Sequence, residues 1–435
     1  MIEYSYLRNN KAKSLQDLHS KDFFLFGELQ EEVFENATVL PLKKLPGDAL
    51  LWGRGGLLDS KGEYIDNTGI RGFVGDKYDY SCPLTRNETI VYCGYLRFEW
   101  GHLIVDCSNR LYYALQHYEN VDKIVYFVEE HGNCELSGNY KEFFELLGII
   151  DKVLILNRPT TFLKVIVPQK AYDRHEKYCY PEFLQVFDTV RQNAYQIHKG
   201  EKPTYSKVFM TRSKLISSQK LEFGMDMLDN LFEKNGYKII SPERMRLSEL
   251  ILILDHAEEV ACCSGTLPHN MIFSNSKARL TILERYCLNN DIQVDINRIK
   301  KLNVTYVDAN MSIYPVEISY GPFIFTFNRW LMRYCEENHL AFPDTEYLSQ
   351  RYKRTLYRKY KKKYSQEFYE RLYMPKWIWR YADLIGEAYN ESDEYFREYL
   401  YGIKLYSLSQ LLSVRMIKTT IKSVIRKILH TVNRE

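Results

Sequence analysis

The chain has 435 residues, of which 45% are hydrophobic and 26% are charged, and its formal net charge at pH 7 is +3. These proportions are those of a soluble globular protein with two or three domains, and they exclude wholesale disorder and a polytopic membrane protein. A net charge this small also excludes binding of a polyanion by the molecule as a whole, so any basic function has to be local.

The cysteines and the apolar segments indicate a cytoplasmic protein. The nine cysteines are odd in number and include no Cys-x-x-Cys pair, which argues against a disulfide framework and a cysteine zinc site and favours a reducing compartment. The N-terminal residues lack the apolar region of a signal peptide. The sequence also has no uninterrupted apolar run of about 18 residues, the length that would predict a membrane span.

The first half of the chain alternates between strand and helix patterns after an irregular start. Residues 1–88 read as short strands and turns, which we expect to form a β-rich segment packed on a first lobe. The lobe itself, residues 89–200, is predicted from strands at 89–93, 123–128, 153–156 and 163–167 and helices at 102–117, 140–147 and after Pro181. This alternation is typical of βαβ units in a mostly parallel sheet.

The second half repeats the alternation over residues 201–310. Strands are predicted at 207–210, 237–240, 260–263 and 279–283, with helices at 223–234 and 247–254. The fold class is therefore α/β, with two Rossmann-like lobes facing across a cleft where ligands bind at the carboxyl ends of the strands.

A helical extension is predicted over residues 311–435. It contains a basic and aromatic run at 351–364 and ends in a basic amphipathic helix within 411–432. Such a helix lies on an anionic membrane surface, or packs against a partner or against its own protein.

Two polar side chains in the first half are candidates for acid–base chemistry. His102 and Asp106 follow Gly101 and are four residues apart, so they share a face near the start of a predicted helix. Asp106 can accept a hydroxyl proton directly, or it can orient His102 to do so. The same pair can also serve only as a helix cap.

Two features of the second half are suited to binding phosphate. Arg212 and Lys214 follow a predicted strand, where an arginine can hold a phosphate through two hydrogen bonds or simply form surface ion pairs. The turn Ser264-Gly265-Thr266 joins a buried strand to a helical pattern, a junction that can present backbone N–H groups to an anion.

Four short motifs in this order resemble glycosyltransferase family 61. They are the run Gly101-His102-Leu103-Ile104-Val105-Asp106 followed by Arg110-Leu111, the strand end Thr211-Arg212-Ser213-Lys214, the junction Ile240-Ser241-Pro242-Glu243, and Ser264-Gly265-Thr266 with Asn270 and Phe273. The resemblance covers roughly residues 90 to 310.

The resemblance implies a GT-B fold and an inverting reaction without a cofactor or an essential metal. It places the catalytic pair on Asp106 and His102 and the acceptor side on Gly101 and Arg110. The donor nucleotide would be bound in the second lobe by Arg212, Lys214, Glu243, Ser264, Gly265, Thr266, His269 and Asn270. The last motif departs from the family pattern, because Ser264 stands where the family has a histidine and Thr266 where it has an alanine.

The resulting hypothesis is a transferase that moves a sugar from a nucleotide-sugar donor to a lipid-linked or polymeric cell-surface glycan. We expect it in the cytoplasm, attached peripherally to the inner face of the membrane through its C-terminal helix, with no nucleic-acid partner. One alternative is another transferase of polysaccharide assembly, such as a pyruvyl transferase. A second is a nucleic-acid-binding protein, in which the 351–364 run contacts phosphates and stacks on bases.

Overall fold

The computed structural model describes residues 1–21, 25–46, 53–70, 75–201, 203, 205–311, 313–316, 321–368, 375–392, 395–397 and 399–400. The strands in these residues are β1 Ile2–Tyr6, β2 Glu31–Lys43, β3 Arg54–Leu58, β4 Leu84–Tyr95, β5 Lys123–Phe127, β6 Val153–Leu156, β7 Thr160–Pro168, β8 Tyr172–Asp173, β9 Tyr178–Cys179, β10 Lys207–Met210, β11 Glu222–Phe223, β12 Lys238–Ile240, β13 Glu259–Cys263, β14 Arg279–Glu284, β15 Asn303–Asp308 and β16 Phe323–Ile324.

The α-helices are α1 Asn9–Ser20, α2 Trp100–His102, α3 Leu111–Gln116, α4 Gly138–Leu147, α5 Glu182–Ile197, α6 Ile216–Leu221, α7 Met225–Lys234, α8 Leu247–His256, α9 Asp291–Ile299, α10 Arg329–Glu337, α11 Thr345–Leu348, α12 Gln350–Phe368 and α13 Pro375–Glu391. A π-helical turn spans Leu103–Cys107, and short 3₁₀ helices span Tyr118–Asn120, Ile150–Lys152, Pro242–Arg244 and Leu267–Phe273.

Most of the strands form two six-stranded sheets, which confirms the α/β class. The first sheet has the order β3-β2-β7-β4-β5-β6. Its strands β7, β4, β5 and β6 are parallel, whereas β2 is antiparallel to both β3 and β7, so this sheet is mixed. The second sheet has the order β1-β15-β14-β13-β10-β12 and is parallel throughout. The carboxyl ends of its strands therefore share one edge.

The predicted N-terminal segment 1–88 divides between the two sheets. Its strands β2 and β3 belong to the first sheet, but β1 pairs with β15 and adds an edge strand to the second sheet. Arg8, just beyond β1, is buried and lies 2.6 Å from the Asp308 carboxylate at the end of β15. This buried ion pair holds the N-terminus on the second sheet, because removing either partner would leave an uncompensated buried charge.

The two sheets share a continuous apolar core. Its members include Val91 and Ile124 of the first sheet and Val260 and Ile282 of the second, together with side chains of α4, α5 and α8 that lie between the sheets. Hydrogen bonds also link α4 to α8 in this region. Glu142 of α4 accepts them from Leu247 N (2.8 Å) and Ser248 Oγ (2.6 Å) at the start of α8. The carboxylate thus provides a hydrogen-bond acceptor for the first turn of α8, whose backbone N–H groups have no partner within the helix.

The basic and aromatic run at 351–364 lies on α12. Its rings Tyr357, Tyr360 and Tyr364 are buried in a core of their own with Trp330 and Tyr395. Rings that pack in a core do not stack on the bases of a nucleic acid, so this part of the nucleic-acid alternative loses its support.

The predicted amphipathic helix within 411–432 lies outside the described residues. In the described part of the chain, no helix combines the length and the apolar character needed to cross a membrane.

Candidate active site

The first part of the site is the helical turn that follows β4. The helix α2 passes directly into the π-helical turn Leu103–Cys107. Leu103, Ile104 and Val105 are buried and anchor this turn in the core. Single π-helical turns occur frequently at functional sites. His102 immediately precedes this turn, and Asp106 lies within it; we call the two together the His102/Asp106 turn.

His102 and Asp106 contact each other directly. The Nδ1 atom of His102 is hydrogen-bonded to Oδ2 of Asp106, and the two side chains are only 16% and 14% exposed. The Nε atom of Arg174 lies 4.0 Å from the other Asp106 oxygen, and a Glu99 oxygen lies 3.6 Å from Nε2 of His102. The Asp106 carboxylate is thus placed between an imidazole and a guanidinium, an arrangement that can orient a general base.

This turn touches the second sheet at its Ser264–Asn270 segment. A Cβ atom on Gly101 would lie 3.4 Å from atoms of both Thr266 and His269, so the Gly101 backbone packs against these side chains. Next to it, Nε1 of Trp100 donates a 2.8 Å hydrogen bond to Oδ1 of Asn270. Two motifs separated by about 160 residues of sequence therefore meet at one place.

The segment Ser264–Asn270 begins with a tight turn at the carboxyl end of β13. Ser264 Oγ accepts a 3.1 Å hydrogen bond from the backbone N–H of Arg285. Gly265 has φ +123°, and a Cβ atom there would lie 2.9 Å from a guanidinium nitrogen of Arg285. Only glycine fits this position, because it tolerates the backbone angle and leaves room for the arginine.

Two arginines share one carboxylate at this edge of the second sheet. The Nη1 atom of Arg285 donates a 2.7 Å hydrogen bond to Oε1 of Glu222, and Nε of Arg212 lies 3.4 Å from the same oxygen. Burial lowers the pKa of Arg212; Glu222 opposes this shift, and the like charge of Arg285 adds to it. Guanidinium groups at the end of a strand can bind an anion such as phosphate through paired hydrogen bonds.

His269 does not supply positive charge to this site. It is 2% exposed, and its Nδ1 lies 2.7 Å from Oε1 of Gln293. The Gln293 amide nitrogen donates a hydrogen bond to Asn297, whose own amide nitrogen donates to the Tyr306 hydroxyl. Burial lowers the pKa of His269 from 6.5 to about 4. The imidazole is therefore neutral at pH 7 and serves to hold the turn against Gly101.

The remaining predicted residues lie at the margins of the site. Lys214 and Glu243 are exposed, although Glu243 is close enough to Arg212 to influence its pKa. Arg110 is buried, lines a pocket together with Asp106, and donates to the backbone carbonyls of Pro168 and Asn67 at 2.7 and 3.1 Å.

The sequence interpretation missed several participants. Arg285 follows β14 directly, and Arg212 follows β10 after Thr211, so a search for cations just after buried strands would have found Arg285 too. Trp100 adjoins the predicted Gly101-His102 motif. Glu222 carried no such signal, because it lies on the short strand β11, whose partner is β16 about 100 residues later.

The site thus combines a carboxylate–imidazole pair with an arginine-lined strand edge on an α/β fold, an arrangement suited to group transfer. Residues 100–281 match the family model described as Glycosyltransferase 61. This match confirms the resemblance to glycosyltransferase family 61 over these residues, and both the His102/Asp106 turn and the Ser264–Asn270 segment lie inside it. A search of curated proteins returned no match.

Protonation of His269 should weaken the fold as the pH falls. Because its pKa is about 4 in the folded protein and 6.5 in its ordinary state, stability is complete above pH 6.5 and declines as the pH drops from 6.5 towards 4. We expect urea titrations to show a loss of about 2 kcal/mol in the free energy of unfolding between pH 7.5 and 5 that His269→Gln lacks. Equal pH dependence in the two proteins would contradict the buried neutral state.

Proposed function

We propose that this protein is an inverting glycosyltransferase that moves a sugar from a nucleotide-sugar donor to a hydroxyl of a growing cell-surface polysaccharide. The observation that carries the proposal is the Ser264–Asn270 segment, which contacts the His102/Asp106 turn on one side and Arg285 on the other. This one short segment therefore lies against both a candidate base and a candidate phosphate site. The family match favours glycosyl transfer over the pyruvyl alternative.

In the proposed reaction Asp106 removes the proton of the acceptor hydroxyl. The acceptor oxygen then forms a bond with the anomeric carbon from the face opposite the phosphate, and the bond from that carbon to the phosphate oxygen breaks. His102 holds the carboxylate through its Nδ1 hydrogen bond. The alternative, in which His102 itself is the base and Asp106 orients it, uses the same contact.

The departing nucleoside diphosphate carries the negative charge that the reaction releases. Arg212 and Arg285 would stabilise it at the strand edge, together with backbone N–H groups around Gly265. Arg285 also explains how this chain functions with Ser264 in place of the family histidine, because its guanidinium brings positive charge to within contact distance of Gly265. In this proposal arginines, and no metal ion, neutralise the diphosphate, and no cofactor takes part.

The two sheets would correspond to the two lobes of a GT-B enzyme. The first sheet, with the His102/Asp106 turn and Arg110, would bind the acceptor, and the second sheet would bind the donor. Lys214 and Glu243, at the exposed margin near Arg212, would contact the outer part of the nucleotide.

Replacing the base should remove turnover and leave donor binding intact. We expect Asp106→Asn to lower kcat by about 10²- to 10⁴-fold, because proton removal in the transition state is lost. The affinity for the nucleotide, measured by calorimetry, should stay the same. Asp188→Asn is a matched control, since this residue lies on α5 in surface ion pairs with Arg191 and Lys300.

The same assay distinguishes the two assignments of the base. A smaller loss in His102→Gln than in Asp106→Asn supports Asp106, and the reverse ranking assigns proton removal to His102. Transfer at the native rate by Asp106→Asn would show that this pair is not the catalytic base.

We also propose that the protein acts at the inner face of the membrane, where a lipid-linked acceptor would be presented. The basic amphipathic pattern within 411–432 supports this, because such a segment binds anionic lipid. The full chain should sediment with anionic liposomes and not with zwitterionic ones. If a truncation after residue 404 sediments equally well, the C-terminal segment is not the membrane anchor.

A further inference from the structure

A small, open pocket lies directly beside the proposed base. It is formed at the carboxyl end of β4, and its wall includes Asp106 together with three cations, Arg97, Arg110 and Lys170. The proposed base is thus the one acid among four charged side chains that line the pocket in the described part of the chain. This composition is unexpected for a site that binds only neutral hydroxyl groups.

Arg110 is the cation whose charge is least compensated. Its side chain is 5% exposed, and its hydrogen bonds go to the backbone carbonyls of Pro168 and Asn67. None of the ion pairs among the described residues includes it. A buried guanidinium with neutral partners retains its full charge in a region of low dielectric, where an anion is attracted strongly.

Lys170 places a second buried charge next to Arg110. It donates a 2.6 Å hydrogen bond to Asp173, and the two side chains are 9% and 8% exposed. Both cations line the same pocket, and burial, and after it the charge of Arg110, lower the pKa of Lys170. A bound anion would relieve this repulsion.

The charged side chains that line the pocket, taken with their ion-pair partners named above or here, are four cations and three carboxylates. The cations are Arg97, Arg110, Lys170 and Arg174, and the carboxylates are Glu99, Asp106 and Asp173. Protonation of Asp106 during the proposed reaction would remove one of these negative charges and so increase the excess of positive charge.

We infer that this pocket binds an anionic group, a carboxylate or a phosphate, on the acceptor whose hydroxyl is directed to Asp106. The inference rests on the proposed function, because it assigns the pocket to the acceptor of that reaction. The donor diphosphate has its own arginine pair on the second sheet, so the two anionic groups occupy separate sites. The acceptor class is then a uronic-acid-containing or phosphorylated glycan, not a neutral one.

Three sugar probes test the pocket in the full-length protein without any need for turnover. Methyl glucuronide carries the carboxylate, glucose 6-phosphate carries the phosphate, and methyl glucoside is the neutral reference. Saturation-transfer NMR titrations should give one charged sugar a Kd at least about tenfold below that of the glucoside. Which charged sugar binds more tightly distinguishes a uronic-acid acceptor from a phosphorylated one.

Substitutions test whether the charged sugar binds in this pocket. Lys170→Gln removes one charge and keeps the backbone contacts of Arg110, and Arg97→Gln at the more exposed rim is a second variant should the first unfold. Each should reduce the preference for the charged sugar by about tenfold. Lys141→Gln is the matched control, since this lysine also pairs with an acid but lies on the exposed face of α4, and it should change nothing. Arg212→Gln should leave the preference intact.

The outcomes separate this inference from the proposed function. If a nucleoside diphosphate binds but charged and neutral sugars bind alike, or if Lys141→Gln acts as Lys170→Gln does, the inference is overturned and the proposed function stands. If the charged sugar binds while UDP, GDP and CDP all fail to bind, the proposed function is overturned, and the assignment of this pocket to an acceptor is overturned with it.

Discussion

The contact between the Trp100-Gly101 backbone and the Thr266–Asn270 segment is the constraint on which the site depends. Gly101 has no side chain, so the first sheet can approach Thr266 and His269 closely, and the Trp100 hydrogen bond to Asn270 fixes the approach. The shared core behind it, with α4, α5 and α8 between the sheets, holds this geometry in place. The His102/Asp106 pair and the arginine edge are therefore positioned by the same few residues.

Charge is distributed around this contact in two separate groups. On the second sheet, Arg212 and Arg285 surround Glu222. Beside the first sheet, Arg110 and Lys170 line one pocket together with Asp106. The buried His269, which packs against Gly101, is neutral and adds no charge to either group. A reaction between a diphosphate donor and an anionic acceptor needs such a division, because two anions have to approach each other.

The sequence predicted the regular elements well between residues 89 and 283, where buried strands alternate with amphipathic helices. The strand Val153–Leu156 and the helix after Pro181 are examples. It did not predict that β1 joins the second sheet, because that pairing connects residues 300 positions apart and carries no local signal. The mixed character of the first sheet was missed for the same reason. In the site, local motifs identified His102, Asp106 and Arg212, whereas Glu222 reaches Arg285 only through tertiary structure.

Calorimetric titration of nucleoside diphosphates tests the central claim most directly. The account predicts that UDP, GDP or CDP binds the full chain, and that Arg285→Gln weakens the Kd by about 10- to 100-fold, because hydrogen bonds to a charged phosphate are lost. Arg279→Gln, at the opposite end of the same strand and 66% exposed, should leave the Kd unchanged. Binding of phosphoenolpyruvate and of no nucleotide, or an equal effect of the two substitutions, would contradict it.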